Sequence, residues 1–191
     1  PTAAEAAARE ICSRHADSKE LVGYFLDRQL NWAPFPRASE NAPAKTPARP
    51  SLLQLCLSLE PKYSAYHAAW EFVLAPRKGD MALLASDWAV TLPNKETLRQ
   101  WTLEETPLSS DGYRRDHERF SQEYARRYFT VCGEAVRRHD PRHLIFSCYF
   151  AEHPGAAVLS ACANPHVDVV AAVCERAQVA EYLKKNYGGT G

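Results

Sequence analysis

Apolar and polar positions along the chain fall into blocks that predict helices and strands in turn. Residues 2–14 are alanine-rich with interspersed charges, which favours a helix. Continuous apolar runs predict buried strands at 21–26, 143–150 and 166–174. Strands that are apolar throughout, and not at every second position, are typical of a parallel sheet covered by helices. The pattern therefore predicts an α/β architecture.

The clearest helix is predicted for "SSDGYRRDHERFSQEYARRYFTVCGEAVRRHD", residues 109–140. Its apolar stripe recurs at every fourth position: Phe120, Tyr124, Tyr128, Cys132 and Val136. Three further residues widen the stripe: Ala125, Phe129 and Ala135. The opposite face is rich in Arg and Glu, and Asp140 followed by Pro141 ends the helix.

The other segments supply shorter helices and one long loop. "APFPRASENAPAKTPARP", residues 33–50, carries five of the thirteen prolines and predicts a surface loop. Five shorter helical pieces are predicted: two within 51–74 that separate at Pro61, one at 80–90, one in "PNKETLRQW" and one at 155–163. The C-terminal "AQVAEYLKKNYGGTG" predicts a helix with a glycine stop.

The stretch "GYFLDRQLNW", residues 23–32, places a polar cluster at the end of the first strand. Asp27, Arg28 and Gln29 follow the apolar run directly. In open α/β sheets and in barrels, ligands meet the carboxyl ends of parallel strands. We therefore expect a binding site at these residues.

Composition and charge limit the kinds of partner that we expect this chain to bind. The chain has 191 residues, 46% of them hydrophobic, enough for one sizeable core. Basic and acidic residues balance at 23 each, so we expect neither nucleic acid nor an anionic membrane as partner, and an uncharged ligand fits better. No apolar run approaches the length of a membrane span, and the N-terminus lacks a signal-peptide core. Because the chain begins with Pro1, we expect it to be a piece of a longer protein, and localisation stays open.

Cysteine and histidine spacing predicts no metal and no cofactor. The six cysteines include no CxxC pair, which favours scattered buried thiols over a disulfide framework or zinc site. In "RRHDPRH", His139 and His143 straddle a proline turn, and the other histidines follow no ligand spacing. We predict solvated or capping roles for them.

Four segments, in this order, carry a family resemblance: "LVGYFLDRQLNW", "GDMALLASDWAVTLPNKETL", "RFSQEYARRYFTVCGEAVRRHDPRHLIFSCYFA" and "HVDVVAA". They resemble the middle of clan A glycoside hydrolases, most closely family 50 β-agarases and more distantly family 42 β-galactosidases. The resemblance implies a (β/α)8 TIM barrel, with 21–26, 143–150 and 167–173 as its fourth, fifth and sixth strands. Residues 1–191 would then be one fragment of a barrel domain, with a helical excursion at 51–110 after the fourth strand.

The resemblance also implies a chemistry: retaining hydrolysis by two carboxyl groups about 5 Å apart. In the resembled motif "GYFxDNE", the glutamate is the acid/base and the asparagine binds the neighbouring sugar hydroxyl. This chain has Gln29 and Arg28 at those positions. A glutamine amide has no proton to give at neutral pH. The nucleophile is expected after the seventh strand, in a segment that this sequence does not include.

Other positions near the implied site also differ from the family. Tyr149 stands where an arginine is expected, and "AAVCER", with Glu175, replaces an asparagine and tyrosine pattern. Either the chain is a non-catalytic paralogue or it uses the pocket differently. Asp27 has two interpretations, a site carboxylate or a strand-end cap. Trp32, Tyr149 and Phe35 are candidates for stacking on sugar rings, and Trp32 could equally anchor the loop or core.

Three functions follow from these observations. The first is a fragment of a glycoside hydrolase whose parent acts on a galactose-containing polysaccharide. The second is a carbohydrate-binding pseudoenzyme, which Arg28 and Gln29 favour. The third is a protein-interaction module that uses the proline-rich loop.

Overall fold

The computed structural model describes residues 3–28, 30, 32, 50–104, 106, 108–150 and 154–171. The chain divides into two compact units. Unit 1 draws its described residues from Pro1–Leu30, Phe129–Pro154 and Cys162–Gly191, and unit 2 from Asn31–Tyr128 and Gly155–Ala161.

Unit 1 is built on a parallel pair of strands, β1 (Gly23–Phe25) and β2 (Leu144–Phe146). Helix α1 (Ala3–His15) precedes β1, and the long helix α6 (Asp111–His139) precedes β2 and supplies residues to both units. The predicted strands at 21–26 and 143–150 are thus found in shorter form. Of the predicted strand at 166–174, the described part pairs with β2 through a parallel bridge between Phe146 and Val169.

The two faces of this sheet differ in what covers them. Tyr24, Leu26 and Ile145 pack against apolar residues of α1 and α6: Ala4, Ala8, Cys12, Ala135 and Val136. Side chains alternate between faces along a strand, so Phe25 lies on the other face, where half of its surface is exposed.

Unit 2 is helical. Its elements are α2 (Leu52–Leu57), α3 (Ser64–Leu74), a 3-10 turn (Ala75–Arg77), α4 (Met81–Asp87), α5 (Lys95–Leu103), the first part of α6, and all of α7 (Ala156–Cys162) but its last residue. Three helix starts are capped by side chains, since Ser51, Asp80 and Asn94 accept hydrogen bonds from backbone N–H groups of α2, α4 and α5. The core is apolar and includes Leu53, Val73, Leu84, Trp88, Leu98 and Tyr113.

Helix α6 follows the prediction closely in length, but its buried stripe is centred differently. Ala125 and Phe129 are fully buried, whereas Tyr124, assigned to the middle of the stripe, is 40% exposed. A strict four-residue repeat advances 400° and drifts around a helix of 3.6 residues per turn, so its members do not share one face. Phe120 and Val136, at the two ends of the predicted stripe, are both buried. No helix in the part of the chain that the structure describes is both long and apolar enough to span a membrane.

Candidate binding edge of the parallel sheet

The carboxyl edge of the β1–β2 sheet brings three of the predicted site residues together. The register of β1 and β2 continues beyond the strands to a parallel bridge between Arg28 and Tyr149. The backbone N–H of Tyr149 donates to the Asp27 carbonyl oxygen at 3.0 Å. Asp27 and Arg28 from one strand and Tyr149 from its neighbour therefore lie side by side.

Asp27 forms a local cap at this edge. Its carboxylate Oδ1 accepts a hydrogen bond from the Arg28 backbone N–H at 2.6 Å, and the residue is half-buried. Arg28 is exposed. The strand-end interpretation of Asp27 therefore has a specific hydrogen bond behind it.

An aromatic cluster lies next to this carboxyl edge and consists of Phe25, Phe146 and Tyr149. The Phe25 and Phe146 rings stack at 4.9 Å between centroids, and Tyr149 meets Phe25 edge-on at 6.3 Å. Phe25 is 51% exposed and Tyr149 38%. These partly exposed rings lie beside the polar strand end that Asp27 and Arg28 form. Sequence reasoning missed Phe25, although its position two residues before Asp27 places it on the same strand face.

Trp32, a further candidate for sugar stacking, belongs to unit 2. It is 5% exposed, and its ring packs edge-on against Tyr124 and Tyr128 at centroid distances of 6.4 and 5.6 Å. Of the two roles considered for Trp32, these contacts are those of a core anchor.

Three predicted site residues, Gln29, Phe35 and Glu175, lie outside the described residues. Most of the proline-rich loop and the predicted C-terminal helix do so as well.

The prediction of solvated or capping histidines is wrong for His143 and His117. The His143 side chain is 11% exposed and bonds both the Asp140 carboxylate and a backbone carbonyl. His117 is buried beside Tyr113 and Ser121, and burial lowers its pKa to about 4. Among the described residues, no group of three or more His, Cys, Asp or Glu side chains is arranged to hold a metal ion.

Comparison with solved structures finds proteins of similar fold. An exo-β-agarase matches with a TM-score of 0.71 and 21% identity, the agarase AgWH50C with 0.68 and 19%, and PfGH50B with 0.70 and 18%. Each match covers 95% of this chain but only 24 to 26% of the other protein. The chain thus shares the fold of about a quarter of these proteins. Its sequence matches no protein-family profile and no curated protein.

Proposed function

We propose that the chain is a segment of a carbohydrate-active (β/α)8 barrel of the agarase type, and that its parent acts on a galactose-containing polysaccharide. In this proposal β1, β2 and the segment around Val169 are the fourth, fifth and sixth barrel strands. Residues 51–110, which contain α2 to α5, are the helical excursion after the fourth strand.

The observation that carries the proposal is the parallel register that places Asp27, Arg28 and Tyr149 at one carboxyl edge. Three features support it further. The strands are parallel with helices between them along the chain, as a barrel requires. Phe25 is 51% exposed on the second face of the sheet, and a parallel sheet is covered on both faces in a complete domain. The proteins of similar fold include agarases.

The proposed chemistry depends on the residue after Arg28. A retaining glycosidase needs one carboxyl group that donates a proton to the leaving oxygen and a second one that attacks the anomeric carbon. Gln29, at the acid/base position, could hydrogen-bond the glycosidic oxygen but not protonate it. Asp27, Arg28, Tyr149 and Glu175 would contact the sugar in this arrangement.

A non-catalytic carbohydrate-binding protein is the second candidate, because Gln29 and Arg28 both depart from the catalytic motif. The binding edge would be the same, with stacking on Tyr149 and Phe25 in place of bond cleavage. Both candidates require saturable sugar binding at this edge.

Isothermal titration with agarose-derived oligosaccharides tests that shared requirement. We expect saturable binding that Tyr149→Phe retains and Tyr149→Ala weakens by up to about 150-fold, since burying the apolar face of the ring contributes at most about 3 kcal/mol. Tyr63→Ala, at an exposed tyrosine of unit 2, is the matched control and should bind as the unmodified chain does. Equal affinities for Tyr149→Ala and the unmodified protein would refute the site.

Hydrolysis by the full-length protein separates the two candidates. Gln29→Glu restores a proton donor, so in a hydrolase with an intact nucleophile we expect activity to rise by about 10²- to 10⁴-fold. Gln29→Asn, which is also unable to donate a proton, is the control and should stay at the starting rate. Unchanged activity in Gln29→Glu, together with retained binding, would select the non-catalytic candidate.

A further inference from the structure

A second cluster of titratable side chains lies in unit 1 at the amino end of β2. Its centre is Asp140, which is fully buried at 0% exposure. Its Oδ1 accepts hydrogen bonds from the backbone N–H groups of Arg142 and His143 at 3.0 and 3.1 Å. Its Oδ2 accepts from the Tyr24 hydroxyl at 2.8 Å and contacts the His143 Nδ1 at 2.6 Å. We call these residues the Asp140 cluster.

Asp140 is ionised at neutral pH. Burial alone raises the pKa of this carboxyl group, but the hydrogen bonds from Tyr24, from the two backbone N–H groups and from the His143 ring outweigh that effect and lower the pKa to about 2. An ionised carboxylate only accepts hydrogen bonds, so the contact between Asp140 Oδ2 and His143 Nδ1 requires a proton on Nδ1.

The other ring nitrogen of His143 also faces an acceptor. Its Nε2 lies 3.0 Å from the carbonyl oxygen of Ser18, which follows α1. A backbone carbonyl cannot donate, so this hydrogen bond requires a proton on Nε2 as well. A neutral imidazole has a single N–H and would turn a nitrogen lone pair toward one of the two oxygens.

We propose that His143 carries protons on both ring nitrogens and forms, with Asp140, a buried ion pair that clamps the segment after α1 to the start of β2, so that loss of one proton loosens this end of the sheet. The clamp reaches three parts of unit 1, because Ser18 follows α1, Asp140 follows α6 and Tyr24 belongs to β1. Tyr24 also contacts the His143 ring edge-on at 6.1 Å.

The arginines near Asp140 are paired with other carboxylates, so its charge is balanced by His143. From α6, Arg137 donates to the His143 carbonyl oxygen and is paired with Asp168 at 2.6 Å. Arg142 is paired with Asp17. Among the described residues, His143 is the basic side chain with which Asp140 forms an ion pair.

Two further titratable groups beside Asp140 are uncharged at neutral pH. They are the Tyr24 hydroxyl of β1 and the Cys12 thiol of α1. Burial is the first cause that raises the pKa of both groups, and the Asp140 charge adds to it. Neither group adds a negative charge to that of Asp140, the carboxylate with which the His143 ring is paired.

Nitrogen-15 NMR of the labelled chain tests the protonation state directly. At pH 7.5, about one pH unit above the midpoint of an ordinary histidine, we expect both His143 ring nitrogens to show the shifts of a protonated imidazolium. His15, exposed on α1, is the reference histidine in the same spectrum. A single protonated nitrogen on His143 at pH 7.5 would overturn the proposal.

Hydrogen exchange tests the mechanical consequence. Unfolded histidine loses its proton near pH 6.5, so a folded state that keeps the proton loses stability as pH rises above that value. The amides of Leu26 and Leu144, which pair β1 with β2, should lose protection by up to about tenfold per pH unit, beyond the intrinsic change in exchange rate. His143→Gln should abolish this slope, and His15→Gln should keep it. Protection of the unmodified chain that is independent of pH between 6.5 and 8.5 would contradict the proposal.

Discussion

A Cβ atom placed on Gly23 would lie 2.2 Å from the carbonyl oxygen of Leu144, its partner in the register of β1 and β2. The nearest atoms are backbone, so the contact cannot be relieved by a side-chain rotation. We predict that Gly23→Ala lowers the free energy of unfolding of unit 1 by about 1–3 kcal/mol. Amide exchange at Leu144 measures it.

The matched control for Gly23 is its neighbour Val22, which is 66% exposed. Val22→Ala should change stability by less than about 0.5 kcal/mol, as is usual for surface substitutions. Equal exchange protection in Gly23→Ala and the unmodified chain would show that the strands tolerate a wider spacing.

Arg77 forms ion pairs with two carboxylates of very different burial. We therefore predict that removing the two charges lowers stability by unequal amounts. Its guanidinium contacts Asp87 and Asp116, each at 2.8 Å, but the Asp87 side chain is 53% exposed and that of Asp116 8%. Asp116 also accepts a hydrogen bond from Trp88 Nε1 at 2.9 Å. We expect Asp116→Asn to cost about 3 kcal/mol and Asp87→Asn less than about 1 kcal/mol.

Urea denaturation followed by tryptophan fluorescence measures this difference. All four tryptophans of the sequence fall within the ranges of unit 2, so the signal reports that unit. Similar losses from the two substitutions would mean that water reaches Asp116 as easily as Asp87.

The burial of His117 predicts that unit 2 loses stability at acidic pH. Burial lowers the pKa of His117 to about 4, whereas an unfolded histidine titrates near 6.5. The unfolded state therefore binds more protons between these values, and stability is complete above pH 6.5 and falls as pH drops toward 4. We expect His117→Phe to flatten this dependence in urea titrations, whereas His67→Gln, at an exposed position of the same unit, should leave it unchanged. An unaltered slope in His117→Phe would assign the acid sensitivity to other groups.

Because Trp32 is buried, we predict that its replacement destabilises unit 2 whether or not a sugar is present. Because it is buried against Tyr124 and Tyr128, Trp32→Ala should lower the free energy of unfolding of unit 2 by about 3–5 kcal/mol. Leu103→Ala, at a residue that is 76% exposed, is the control and should cost less than about 0.5 kcal/mol. Full stability in Trp32→Ala would restore a ligand-facing role for this residue.

Local patterns predicted the elements of this fold well where they are strong. The length of α6, the break near Pro61 and the apolar runs of β1 and β2 are visible in sequence because each depends on neighbours a few positions away. The register of β1 on β2 was not visible, because it joins residues far apart in the chain. The pairing of Arg28 with Tyr149 followed only once that register was known.

The Asp140 cluster shows the same limit for side chains. Asp140 could be recognised as the end of a helix, yet nothing local in "RRHDPRH" indicates that Ser18 and Tyr24 would complete the bonds of His143 and Asp140. Buried polar networks are specified by tertiary packing, so a sequence pattern assigns such residues to the surface.

Arg28 lies exposed at the strand end, where its side chain can be exchanged more freely than the residues of the strand itself. A residue at this edge meets little packing, so its replacement costs the fold almost nothing, whereas deleting one residue from Gly23–Phe25 would turn every following side chain of the strand to the opposite face. Substitution at the tip is tolerated and a change of length is not. Different side chains can therefore stand at the Arg28 position while the strands beneath it keep their register.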